Sequence, residues 1–80
     1  MAEGWKRKNE WLVKTFEFRD FNEAVAFLVR VAMLAEKMNH HPDISLSWNK
    51  VKVKLTTHSE GKITQQDLEM AEKIDKLLRR

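Results

Sequence analysis

DFNEAVAFLVRVAMLAEKMNHHP, residues 20–42, decides how this chain folds. Asp20 and Glu23 have the spacing of a capping box, in which an N-cap side chain and an acidic residue three positions on satisfy free backbone donors. Behind them, Ala24 to Ala35 is apolar at every position except Arg30. A helix lying on a core shows one apolar stripe and one polar face. This helix is apolar almost all round. One side is therefore expected on a sheet and another against a second subunit. Asn39 tolerates left-handed backbone, and Pro42 forbids continuation. The helix is expected over about 21–38.

Upstream, residues 5–8 and 11–18 read as a hairpin that turns near Lys8-Asn9. Leu12, Phe16 and Phe18 share a face, which Lys14 interrupts. Downstream, Ile44 to Trp48 reads as a strand and Asn49-Lys50 as a turn or bulge. Val51, Val53 and Leu55 alternate with Lys52, Lys54 and Thr56, the pattern of a strand with one wet face. Ser59 to Lys62 is a turn. Thr64 opens a second helix with Asp67 at N3, and Ile63 and Leu68 form a hydrophobic staple. Leu68, Ala71, Ile74 and Leu78 are its expected buried stripe, with Arg79-Arg80 at the negative end of its dipole. The order is β-β-α-β-β-α. Hairpins favour antiparallel pairing, so the expected class is α+β, a four-stranded antiparallel sheet with two helices packed on one face. Residues 1–80 are read as a single domain.

Composition narrows the function. At 80 residues the chain buries a modest core, and with no cysteine it has no disulfide support. Oligomerisation is the usual alternative for so small a chain. Thiol catalysis and cysteine-type zinc sites are excluded. A net charge of +3 is modest. A nucleic-acid binder would show a denser basic cluster, so nucleic acid is not an expected partner. The apolar run in 24–35 is too short to span a bilayer. Met1 to Trp5 shows no apolar leader, and the expected localisation is cytoplasmic.

His40, His41 and His58 are the only histidines. The first two fall where a helix should stop, and the third where a strand should end. Imidazole is the side chain whose ordinary pKa lies in the physiological range, so three of them at neighbouring element ends suggest proton transfer. Glu36 and His40 are four apart, hence on one helical face. A helix end whose dipole favours cations explains His40 and His41, but not His58. A metal site built from Glu36, His40, His41 and His58 is disfavoured. Adjacent histidines rarely converge on one ion, and zinc sites use other spacings.

The spaced pattern Glu36, His40-His41-Pro42, Trp48, His58, Asp67 closely resembles the pterin-4a-carbinolamine dehydratase family. Gly4-Trp5, Phe16-Glu17-Phe18 with Asp20-Phe21, Ala35-Glu36-Lys37, Asn49-Lys50-Val51 and Gly61-Lys62-Ile63-Thr64 extend the resemblance from Gly4 to about Leu77. It implies dehydration of 4a-hydroxytetrahydropterin to quinonoid dihydropterin, in pterin recycling. It assigns the proton transfers to His40, His41 and His58, with Glu36 orienting His40. Asn39, Thr56, Thr57, Ser59, Asp67 and Trp5 would border the substrate. No metal and no cofactor are implied, since the pterin is itself the substrate. The expected assembly is a homo-dimer or homo-tetramer, formed through helix 21–38 and the sheet edges. The chain departs from the family where Asn39 and Ser59 replace common carboxylates and where Ile44 replaces an aromatic ring. It resembles a short form without the family's N-terminal helix. The same fold also serves as a non-catalytic interaction module, and the apolar helix suits that alternative.

Overall fold

Two hairpins meet side by side to make the sheet. The computed structural model describes residues 4–78. Strand β1 (Lys6–Lys8) pairs with β2 (Trp11–Glu17) across a turn in which Asn9 takes a φ of 56°. Strand β3 (Asp43–Ser47) pairs with β4 (Lys50–Leu55). The hairpins join through β2 and β4, giving the all-antiparallel order β1-β2-β4-β3. The helices are α1 (Phe21–Met38) and α2 (Gln65–Lys76). The α+β arrangement and its element order are as expected.

Alternation directs the core. Leu12, Phe16, Val51, Val53 and Leu55 point to one face of the sheet. There they form one buried cluster with Ala24, Phe27, Val31 and Ala35 of α1 and Met70, Ala71 and Ile74 of α2. Lys50 and Lys52 point the other way and are exposed. The far side of α1 stays open, with Val29 48% and Met33 67% exposed, and Phe21 in its first turn is 50% exposed. A helix in which Ala24, Phe27, Val31 and Ala35 are covered while Val29 and Met33 are bare has two apolar sides and only one sheet.

Local chemistry sets the helix ends. The Asp20 carboxylate accepts the Glu23 N–H at 2.9 Å. The Glu23 carboxylate reaches back one residue further than a standard box, to the Arg19 N–H. At the other end Asn39 takes a φ of 52°. The Asn39 N–H then donates to the Glu36 carbonyl and the His40 N–H to the Ala35 carbonyl. This is a Schellman closure, and it turns the chain inward at His40.

Three expectations shift. The β3–β4 turn is Trp48-Asn49 rather than Asn49-Lys50, and Trp48 takes a φ of 49°. The Asn49 amide donates to the Phe18 carbonyl, so its side chain is spent holding the loop before α1. On α2, Met70 is fully buried while Leu78 is 44% exposed, because the helix ends before Leu78. Lys14 lies on the core face yet is accommodated. Its ammonium pairs with Asp75 at 2.9 Å and sits over the Phe16 ring. Arg79-Arg80 lie outside the described residues.

Candidate active site

One end of the molecule collects the chemistry. Strand β4 finishes there at Leu55, paired with Leu12 at the start of β2, and Lys54 faces Asp43 at the start of β3. The connection from α1 into β3 and the turn from β4 into α2 therefore emerge at the same end. They carry His40, His41 and His58.

His40 is buried, at 9% exposure. Its Nε2 meets Asp67 Oδ1 at 2.6 Å. Asp67 has no exposed surface, and its other oxygen accepts the Thr57 hydroxyl at 2.8 Å and the Thr64 N–H at 2.9 Å. The Thr57 and Thr64 hydroxyls lie 2.7 Å apart. With Thr57 donating to the carboxylate, Thr64 donates to Thr57. Asp67 thus closes the first turn of α2 and anchors an imidazole with one carboxylate. A carboxylate facing Nε2 fixes the tautomer that carries its proton there and leaves Nδ1 as the lone-pair nitrogen. Burial of such a charge is tolerated where both oxygens are hydrogen-bonded, as they are here. Among the described residues, every buried side-chain nitrogen and oxygen has a partner.

His41 faces outward. Its Nε2 meets Glu36 Oε2 at 2.6 Å, and both side chains are exposed. The expectation that Glu36 orients His40 is corrected here. The i,i+4 relation holds only while the helix continues, and left-handed Asn39 ends it first. His40 turns inward to Asp67, and His41 takes the place beside Glu36.

His58 begins the 58–61 turn, closed by the Gly61 N–H to the Thr57 carbonyl at 2.8 Å. Gly61 has a φ of 67°, where glycine is unstrained. The His58 ring packs on Trp11, with centroids 5.6 Å apart and planes at 78°. Thr56 is buried, and its hydroxyl donates to the Glu10 carbonyl at 2.6 Å. Asn39 and Ser59 are exposed beside their histidines in sequence.

Trp5 is not with them. It is 4% exposed, its indole N–H donates to Asp75, and its ring packs edge-on to Phe16. Asp75 lies eight residues beyond Asp67 on α2, about 12 Å at 1.5 Å per residue. Trp48 is also remote, in the turn at the opposite end of β3. Sequence reasoning passed over two members of the site, Thr64 and Trp11. The hydroxyl of Thr64 was legible as an N-cap but not as Thr57's partner. Among the described residues, no three acidic or imidazole side chains converge as for a metal ion.

The arrangement can orient two imidazoles by carboxylates and a third by an aromatic wall, all at one end of the sheet. Such a set can move protons on either side of one small molecule.

Known proteins resemble this chain over most of its length. The family profile "Pterin 4 alpha carbinolamine dehydratase" matches residues 1–77. A Sulfurisphaera tokodaii protein named "Putative pterin-4-alpha-carbinolamine dehydratase" is 55% identical over 75 residues, covering 94% of this chain and 81% of the relative. A protein of the same name from Thermomicrobium roseum is 49% identical, covering 92% and 80%. The crystal structure of a transcriptional coactivator/pterin dehydratase from Brucella melitensis superposes with a TM-score of 0.87. It is 39% identical, covering 91% of this chain and 80% of that one. A pterin dehydratase-like protein identified as a RuBisCO assembly factor in the alpha-carboxysome superposes at 0.77 with 25% identity, covering 94% and 87%.

Proposed function

The chain belongs to the pterin-4a-carbinolamine dehydratase family, and from that premise we propose that it dehydrates 4a-hydroxytetrahydropterin to quinonoid dihydropterin by histidine acid–base catalysis. The observation that carries this reading is the 2.6 Å contact between His40 and fully buried Asp67, with the Glu36-backed His41 and with His58 at the same end of the sheet.

The chemistry needs little else. The C4a–O bond breaks as the hydroxyl takes up a proton and leaves as water. The N5–H proton is removed, and its electron pair forms the N5=C4a double bond. One proton enters and one departs, with no net redox change. An acid and a base on either side of one bond suffice, and each well-placed group typically contributes ~10²–10⁴-fold. A carboxylate behind an imidazole orients it and offsets the positive charge as the ring takes up a proton. His40 with Asp67, and His41 with Glu36, therefore suit proton acceptance. His58 completes the set from the opposite loop. Asn39, Thr56, Thr57 and Ser59 border the pterin in this reading.

Stopped-flow absorbance of 4a-hydroxytetrahydropterin decay near neutral pH tests it. The protein should exceed the slow spontaneous dehydration. His41→Ala and His58→Ala should each remove most of the acceleration while staying folded, because both side chains are exposed. A folded wild-type protein with no acceleration would sink the proposal.

A second reading rests on α1. Its bare Phe21, Val29 and Met33 suit either self-association into a homo-oligomer or a protein partner. The carboxysome assembly factor among its structural relatives has a role of that second kind. A complex that forms without pterin turnover would favour the interaction module. Among the described residues no helix is long and apolar enough to cross a membrane.

A further inference from the structure

Resting on the dehydratase reading, we infer that Trp11 is a positioning residue: it sets the direction of the His58 imidazole, and Lys54 holds the indole in place. His40 and His41 each have a carboxylate at 2.6 Å. No described residue hydrogen-bonds a ring nitrogen of His58, which stands in an exposed turn. The backbone just before it is pinned, through Thr56 to the Glu10 carbonyl and Thr57 to Asp67. The side chain projects beyond those anchors. What meets it is Trp11, edge to face, with ring centroids 5.6 Å apart.

The indole is a firm wall. Trp11 is the first residue of β2, paired with Lys8 on β1, and it is half-buried. The Lys54 ammonium, on the neighbouring strand, lies 4.5 Å from its ring centroid. A cation over an indole is attracted by the negative ring face. The direction of His58 is thus set from the sheet rather than from its own turn. The device has a chemical consequence. A carboxylate would orient an imidazole by occupying one of its nitrogens. An aromatic wall orients it and leaves both nitrogens open to the substrate.

The test is a double-mutant cycle between Trp11→Ala and His58→Ala, read as kcat and KM for the carbinolamine. Trp11→Ala should lower kcat by roughly ten- to a hundredfold, as misplacement of a catalytic group does, with KM nearly unchanged. Trp11→Phe, which keeps a ring, should recover most of the loss. In the His58→Ala background, Trp11→Ala should change kcat by less than about twofold, because the two act as a unit. The His58 ring-proton shifts should move in Trp11→Ala and stay near wild type in Trp11→Phe. An equal kcat loss in both backgrounds, or unmoved His58 shifts, would overturn the inference and leave the dehydratase reading standing. A folded wild-type protein with no turnover would overturn both.

Discussion

Replacing Asp67 by Asn separates the two duties of this carboxylate. Asn keeps its shape and one of its two oxygens. The Oδ2 position serves two donors, the Thr57 hydroxyl and the Thr64 N–H. The remaining oxygen therefore goes there, and the amide NH₂ takes the place facing His40 Nε2. Two donors then oppose each other unless His40 moves its proton to Nδ1. The loss is one hydrogen bond to a charged acceptor, about 1.5–3 kcal/mol for a buried site. An 80-residue domain has only ~4–12 kcal/mol in total. A 2 kcal/mol loss corresponds to a fall in Tm of roughly 8–16 °C at this size. Asp67→Asn should therefore still fold at 25 °C. Asp67→Ala, which strands three donors, should lose about 3–5 kcal/mol and approach global unfolding. Thermal and urea denaturation give the stability. Long-range proton–nitrogen correlation spectra of the imidazole give the tautomer. Turnover of folded Asp67→Asn should fall by at least ~10²-fold, as when an oriented acid–base group is lost. An unchanged Tm together with a proton still on His40 Nε2 would refute the reasoning, since the carboxylate would then hold neither ring nor helix.

Asn39→Ala should cost about 1 kcal/mol, the penalty for left-handed backbone in an ordinary residue, whereas Asn39→Gly should be nearly neutral; the urea midpoint measures both. Met33→Glu should leave the fold intact and weaken self-association, read by light scattering after size-exclusion chromatography, because its side chain is 67% exposed on the bare side of α1. Trp5→Phe removes the indole N–H from Asp75 and should cost about 1 kcal/mol in stability. Turnover per folded molecule should not change, since Trp5 belongs to the core and not to the histidine end.

The order of elements and the bounds of α1 were legible in the sequence because their signals are local. Asp20, Glu23, Asn39 and Pro42 act within a few residues of themselves. Alternation placed Val51, Val53 and Leu55 correctly for the same reason. What escaped depends on partners distant in sequence. Lys14 looked like a flaw in an apolar face, and its ion pair with Asp75, 61 residues away, could not be read from its neighbours in sequence. Trp5 drew attention as an aromatic near a family motif, but its N–H is spent across the layer on the same Asp75. Glu36 and His40 have helical spacing, yet one left-handed residue between them exchanges His40 for His41. The three histidines could be named from their spacing. Their partners could not, since Asp67 is 27 residues from His40 and the Trp11 wall comes from the other hairpin.

The contact between Trp5 and Asp75 spans 70 residues of sequence. It brings the segment ahead of β1 against the last turn of α2. A short linker could therefore join these two segments, and new ends could be opened at the Trp48-Asn49 turn, remote from the histidines. Such a circular permutant would place β4 and α2 ahead of β1, β2, α1 and β3 in the order of synthesis while keeping every contact around Asp67. In the dehydratase reading, proton transfer depends on where the α1–β3 and β4–α2 connections converge, and it should survive rewiring of the path by which the chain reaches them.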